Sequence, residues 1–340
     1  MAFLDRILPA PVGGGFAMDD YWVWCGSVLG GDDGQYHMFA ARWPKALPFF
    51  DGYKTHSEIV RAVSPTPEGP YAFQEIVLPA RGPGFWDGQM THNPTIHKVG
   101  DTCLLFYIGA TYADPRPTPD ELWGQATPKP NQSYATIRIG LATAPSPLGP
   151  WERRDDPILD TRPGKWDGSV VTNPAPCVLA DGRILLLYRS NTPDGLRIGA
   201  AMAESLESPF RRIADEPVLR LAGGNFVEDP FVWQAAGRFE MLAKDMTGGI
   251  TGEKHAGIHA TSANGLDWKL SDPPKAYSRR IAWDDGTTTV QGCVERPQLL
   301  FHDGQPTHLF AATADGPGGF RDATRTWNMV LPLAPSGEGE

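Results

Sequence analysis

The chain has 340 residues and a mass of 37.0 kDa, with 41% hydrophobic residues, which excludes disorder and allows a large buried core. Against 30 Lys and Arg stand 40 Asp and Glu, a net charge of -10 that disfavours nucleic acid and anionic membrane as partners and fits a neutral polar ligand. No apolar run approaches the ~18 residues of a membrane span, and Met1-Ala2-Phe3-Leu4-Asp5-Arg6 does not open a signal sequence; a cytoplasmic location is expected, with the periplasm open if a leader has been removed.

Short alternating or apolar runs succeed one another at 22–29, 36–42, 58–63, 102–108, 137–142, 184–188, 239–244 and 308–312, and each reads as a β-strand. Turn signals separate them: Gly31-Asp32-Asp33-Gly34, Val99-Gly100-Asp101, Ala180-Asp181-Gly182 and His302-Asp303-Gly304, each followed at once by a β-rich run, as in hairpins. The 38 glycines and 33 prolines accord with many turns. No segment carries a capped helical stripe, and residues 111–133 form a polar, Pro-rich insertion too long for a simple hairpin. Cys25, Cys103, Cys177 and Cys293 lie far apart in apolar strand contexts, without the close pairs of a zinc site, and read as reduced core thiols.

A repeat emerges when the strand pairs are aligned. A small residue or Pro opens an apolar strand at Gly26-Ser27-Val28, Pro94-Thr95-Ile96, Pro174-Ala175-Pro176, Pro230-Phe231-Val232 and Pro297-Gln298-Leu299, and a Gly/Asp turn and second apolar strand follow. A later landmark, a small-residue strand leading to a turn and an aromatic, recurs in phase with it, as in Ile139-Gly140-Leu141-Ala142 to Gly149-Pro150-Trp151. Repeats of this length with about four short strands each predict an all-β, five-bladed β-propeller as one domain over residues 1–340, with blades near 18–80, 81–155, 156–215, 216–275 and 276–335. The strand at 327–333 either completes the last blade or pairs with the N-terminal segment to close the ring.

The first strand of each propeller blade lines the central channel, so polar residues just ahead of the landmarks should converge on one pocket. They are Asp19 and Asp20; Asp87, His92 and Asn93; Asp167 and Asn173; Glu228 and Asp229; Glu295 and Arg296. Charged pairs at the opening of apolar strands need a partner or a use, which singles out Glu228-Asp229-Pro230 and Glu295-Arg296-Pro297. Glu295 with Arg296 also reads as an ion pair between blades. Trp86-Asp87-Gly88 and Trp166-Asp167-Gly168 precede their Asn-Pro at one interval, with Trp283-Asp284 a looser copy. Their Asp residues read either as turn residues bonding their own backbone or as pocket residues holding sugar hydroxyls beside a stacking Trp.

Five blades with acids at the openings of the inner strands resemble the glycoside hydrolase superfamily that includes families 43, 117 and 32. The resemblance spans nearly the whole chain through its repeat, on short local motifs. It implies a first-blade Asp as base or nucleophile, a middle-blade Asp that tunes the pKa, and a Glu in a Glu-x-Pro context as general acid; Glu228-Asp229-Pro230 matches the last. At the first two positions the sequence has Cys25-Gly26 and Asn173-Pro174 instead of Asp-Pro. On this resemblance Glu228 is expected as acid, Asp20 as base and Asp167 as tuner. Asp87, His92, Asn93, Asn173, Asp229, Glu295 and Arg296 are expected as substrate contacts, and Trp22, Trp24, Trp86 and Trp166 as stacking walls. Family 43-like enzymes imply inversion, which requires carboxyls about 6.5–9.5 Å apart.

The expected activity is hydrolysis of a terminal sugar or short oligosaccharide in polysaccharide degradation, with a carbohydrate as partner and an oligomeric state the sequence leaves open. No cofactor is expected, since no Gly-rich phosphate loop precedes a helix. A channel cation such as calcium is the alternative that relatives suggest, with His92, His255 and His259 as candidates and the last two on one strand face. Two other readings stand beside hydrolysis. A phosphorylase would need several Arg or Lys by the acid, where only Arg296 is evident; a noncatalytic carbohydrate-binding propeller would fit the missing Asp-Pro pairs.

Overall fold

Each of the five landmark positions falls on a β-bulge in the first strand of a sheet. In the computed structural model, which describes residues 2–316 and 318–335, the ladder register slips at Cys25-Gly26, Asn93-Pro94, Asn173-Pro174, Asp229-Pro230 and Arg296-Pro297. The first residue of each pair is left-handed, with φ of 57°, 51°, 51°, 57° and 55° in turn. Proline explains the recurrence: it has no N–H to give the ladder, so the strand must bulge to accommodate it. Gly26 stands in for proline in the first blade, and its free N–H donates to Asn328 Oδ1 at 2.7 Å. A Cβ at Gly26 would meet the Asn328 side chain at 2.6 Å.

The described strands form five four-stranded antiparallel blades and one separate hairpin, Arg280–Ala282 with Thr288–Val290. The first holds Tyr21–Gly30, Tyr36–Pro44, Glu58–Ser64 and Ala72–Leu78, the second Met90–Val99, Thr102–Ala110, Arg138–Ala144 and Glu152–Arg153, and the third Thr172–Val178, Ile184–Thr192, Gly195–Ala203 and Arg211–Arg212. The fourth holds Val227–Ala235, Arg238–Asp245, Gly257–Ser262 and Lys269–Tyr277. In the fifth, Cys293–His302, Gln305–Ala314 and Thr326–Pro332 are joined by Phe16–Ala17 from the other end of the chain. The strand near 327–333 therefore does both things expected of it, completing the last blade and pairing with the N-terminal segment to close the ring.

Apolar side chains fill the wedges between neighbouring blades. Leu104, Phe106 and Ile139 meet Leu186 and Tyr188 between the second and third, and Leu185, Leu187 and Ile198 meet Val232 and Met241 between the third and fourth. All four cysteines are buried free thiols. No helix among the described residues is long and apolar enough to cross a membrane.

Two segments without a helical stripe nevertheless contain helices. Phe49–His56 follows the second strand of the first blade, and the 111–133 insertion of the second blade carries Pro119–Trp123 and leads into Lys129–Ala135. Tertiary packing holds these short elements: Ser133 Oγ donates to the Lys54 carbonyl at 2.5 Å, and Tyr112 Oη donates to the Thr55 carbonyl at 2.7 Å.

The Trp-Asp-Gly repeats lock blades instead of lining the channel. Trp86 stacks on Tyr107 and Trp166 on Tyr188, with ring centroids 5.7 and 6.0 Å apart. Asp87 and Asp167 accept from the hydroxyls of these tyrosines at 2.8 Å. Two arginines complete each set, Arg81 and Arg153 on Asp87 and Arg162 and Arg212 on Asp167. The expected pocket roles of Asp87, Asp167, Trp86 and Trp166 are thereby corrected: every carboxylate oxygen is committed, and both Trp rings are stacked on tyrosines. Trp283-Asp284 does a different job, with Asp284 accepting from Val12 N at 3.0 Å.

Candidate active site

Because a left-handed residue ends the regular pleat, each bulge aims its side chain at the propeller axis. There the five side chains form a ring across the blades. Cys25 Sγ donates to Asn93 Oδ1 at 2.7 Å, Asn93 Nδ2 to Asn173 Oδ1 at 3.0 Å, and Asn173 Nδ2 to Asp229 Oδ1. Arg296 N donates to Asp229 Oδ2 at 3.3 Å. The preceding residues, Trp24, His92, Thr172, Glu228 and Glu295, make a second tier on the same axis and line a cavity of about 350 Å³, a volume suited to a sugar.

The two short helical segments cover one mouth of this cavity. Phe49, Phe50 and Tyr53 come from the first, Tyr134 from Lys129–Ala135, and Phe320 from the last blade. Phe49 stacks on Phe320 at 4.6 Å, and Trp24 meets both rings edge-on at 5.3 and 5.2 Å. A larger cavity of about 700 Å³ lies at the opposite ends of the inner strands, lined by Ile96, Phe231, Leu299 and Phe301, and no carboxylate is among its described lining residues.

The charges lie on one side of the cavity. Lys244 Nζ sits 2.9 Å from Glu228 Oε2, 2.8 Å from Glu295 Oε1 and 3.3 Å from Asp229 Oδ2. Arg189 Nη2 lies 3.0 Å from Glu228 Oε1. The two contacts to Lys244, laid end to end, keep the nearest Glu228 and Glu295 oxygens within about 6 Å, below the separation of an inverting pair.

Neighbours drive the two glutamates apart in acidity. Burial works to raise Glu228, but Lys244 and Arg189 outweigh it and bring the carboxyl down to about 2. At Glu295 burial pushes up, Lys244 pulls against it, and the charges of Asp229 and Glu228 add to the rise, leaving it at about 7. Burial with the Arg296 charge lowers His92 to about 3, and burial with Lys244 lowers His255 to about 4, so both imidazoles are neutral.

Of the residues expected from sequence, Trp24, His92, Asn93, Asn173, Glu228, Asp229, Glu295 and Arg296 meet in this cavity. Asp20 does not: it is exposed in the turn before Tyr21, outside the lining, and its carbonyl accepts from Lys45 N. At about 3.3 Å per residue, the strand between it and the Cys25 bulge puts them some 16 Å apart, so the base role is corrected. Trp22 is buried under the lid, its indole donating to the Leu47 carbonyl at 3.1 Å. Sequence reasoning missed Arg189 and Lys244, which sit on second strands directly opposite Thr172 and Glu228.

The residues present do not fit a channel cation. His259 is paired with Glu240 at 2.7 Å and Ser271 at 2.7 Å, away from the cavity, and His255 precedes the strand Gly257–Ser262 rather than sharing a face of it. The axis instead carries Arg296, with Lys244 and Arg189 beside it. Among the described residues no cluster of three His, Cys, Asp or Glu could hold a metal.

No family model matches the sequence, and no curated protein matches it. Solved structures do. BT0996, solved as an RGII complex, is similar over 98% of this chain and 94% of its own at 15% identity and a TM-score of 0.67. Zg3597, a family 117 glycoside hydrolase from the marine bacterium Zobellia galactanivorans, is similar over 97% and 89% at 13% identity and a TM-score of 0.66. The fold is that of the five-bladed glycoside hydrolases. CoXyl43, a family 43 β-xylosidase/α-arabinofuranosidase from a compost microbial metagenome crystallised with xylotriose, extends the likeness, at 15% identity, 98% and 97% coverage and a TM-score of 0.62.

Proposed function

We propose that the protein is a glycoside hydrolase acting on a terminal sugar or short oligosaccharide, with Glu295 as proton donor and Glu228 as the ionised carboxylate at the anomeric carbon. The observation that carries this reading is the contact of both carboxyls with Lys244 Nζ in a sugar-sized, aromatic-walled cavity. Glycoside cleavage needs one carboxyl that keeps its proton near neutrality and one that stays charged. Glu295 and Glu228 suit those tasks in that order, which reverses the role expected for Glu228 from its Glu-x-Pro context.

Their short separation supports retention in place of the inversion that the resemblance implied. Glu228 attacks the anomeric carbon as Glu295 protonates the departing oxygen, leaving a glycosyl ester. Glu295, now ionised, takes a proton from water, and the water oxygen displaces Glu228. Trp24, Phe49, Tyr53 and Phe320 supply apolar faces for the sugar ring.

A second reading is favoured by Cys25 and Asn173, neutral where the resemblance puts carboxylates: a noncatalytic sugar-binding propeller. Phosphorolysis is less well served, because Lys244 and Arg189 are already committed to Glu228. Product release from a broad panel of aryl glycosides and plant and algal oligosaccharides separates these readings. Cleavage by the wild type that is lost in both Glu295→Gln and Glu228→Gln supports the hydrolase. Sugar binding without turnover in any of the three proteins supports the binding module.

A further inference from the structure

Arg296 is the most weakly paired cation among the described residues of the cavity. Its side chain is 2% exposed, yet none of its three guanidinium nitrogens has a hydrogen-bond acceptor among the described residues. Asp229 Oδ1 approaches only to 3.7 Å, and its other close neighbour is the Cys25 sulfur, a weak acceptor. A buried guanidinium left in this state is destabilising unless a ligand completes it. Lys244 and Arg189 differ, since each is spent on Glu228.

The charge count points the same way. Three cationic side chains, Arg189, Lys244 and Arg296, face Glu228, Asp229 and Glu295, and Glu295 holds a proton up to about pH 7. His92 and His255 line the same cavity uncharged. Three cations thus face three carboxyls, and below about pH 7, where Glu295 keeps its proton, the balance in the cavity tips positive while the chain as a whole is strongly negative.

We infer that Arg296 receives the carboxylate of an acidic sugar, making the ligand a uronic acid glycoside. A carboxylate matches the planar guanidinium through two parallel N–H bonds and gives its three nitrogens the acceptors they lack. Phosphate would bring up to two negative charges beside Asp229 and Glu228, whose carboxylates repel it. The inference deepens the proposed function by naming the sugar class, and rests on that reading for the bound ligand being a sugar.

Calorimetric titration with methyl uronides and their neutral counterparts, with inorganic phosphate as a third probe, tests it apart from turnover. Wild-type protein should bind at least one uronide about 10- to 100-fold more tightly than its neutral counterpart, the range for a charged hydrogen-bonded contact. Arg296→Met should erase the preference, and Arg296→Lys, the safeguard if the Met variant does not fold by thermal melt, should reduce it. Equal affinity for charged and neutral sugars, a preference that persists in a folded variant, no binding of any uronide, or tighter binding of phosphate each overturns the assignment. Selective uronide binding with no cleavage of any glycoside keeps the anion site and removes the hydrolase reading. Cleavage of neutral glycosides with no uronide preference does the reverse.

Discussion

Glu228 and Glu295 stand on adjacent blades and share one ammonium group, Lys244 Nζ, at 2.9 and 2.8 Å. Each opens the bulge of its inner strand by one residue, so the same repeat that builds the propeller also brings the pair together. Arg189 lies on Glu228 alone, and that asymmetry separates their acidities.

The pH dependence follows from this asymmetry. Activity, as kcat/KM, should fall as pH rises through about 7, where Glu295 loses its proton, and should hold on the acid side until Glu228 is protonated near 2 or the fold fails. Stability carries the same signature. The folded Glu295 carboxyl lies above its ordinary 4.5, so its contribution is full below about pH 4.5 and is lost as pH rises through about 7. Glu228 lies below 4.5, so its contribution is full above that value and is lost as pH falls toward 2. Urea unfolding between pH 4.5 and 8 should show the wild type losing stability relative to Glu295→Gln as pH rises.

Lys244→Met should cost about 3–5 kcal/mol in denaturant unfolding, because carboxylates that shared a buried cation are left without it. In protein that remains folded, the alkaline limb of the rate profile should move to higher pH, since Lys244 no longer pulls the Glu295 carboxyl down. An unchanged limb would mean that Glu295 does not set it.

Asp167→Asn separates blade locking from chemistry. Loss of charge between Arg162 and Arg212 should lower stability by about 3 kcal/mol, while kcat, KM and the pH profile of the folded protein stay as in the wild type. Asp20→Ala should leave stability within about 0.5 kcal/mol of the wild type and activity unchanged, as fits an exposed turn residue.

Cys25 should resist thiol reagents in the native state. Burial pushes its thiol well above the ordinary range, the nearby Arg296 pulling back only in part, and its hydrogen goes to Asn93. Labelling with iodoacetamide at pH 8 should proceed only on unfolding, with activity intact beforehand.

The sequence carried the propeller because its repeat is enforced by a backbone requirement: proline or glycine at each bulge and Gly/Asp at each hairpin turn leave marks at fixed places. It carried Glu228, Asp229, Glu295 and Arg296 because charges opening apolar strands stand out. Asp20 and Asp167 were misplaced because the left-handed bulge, not the strand approach, decides which side chain reaches the axis. Lys244 and Arg189 escaped because their position depends on cross-strand register at the bulge, which no local pattern records. The short helices escaped because none is long enough to show an apolar stripe, although Thr118 and Glu121 form a capping box at the start of Pro119–Trp123.

The most direct test of the Glu228 and Glu295 assignment is proton NMR of the first sugar released from a cleaved substrate, before mutarotation. Retention of the substrate's anomeric configuration is the outcome expected from two carboxyls this close. Release of the inverted anomer would contradict the pairing, and would place the activating carboxylate farther from the proton donor than Glu228 lies from Glu295.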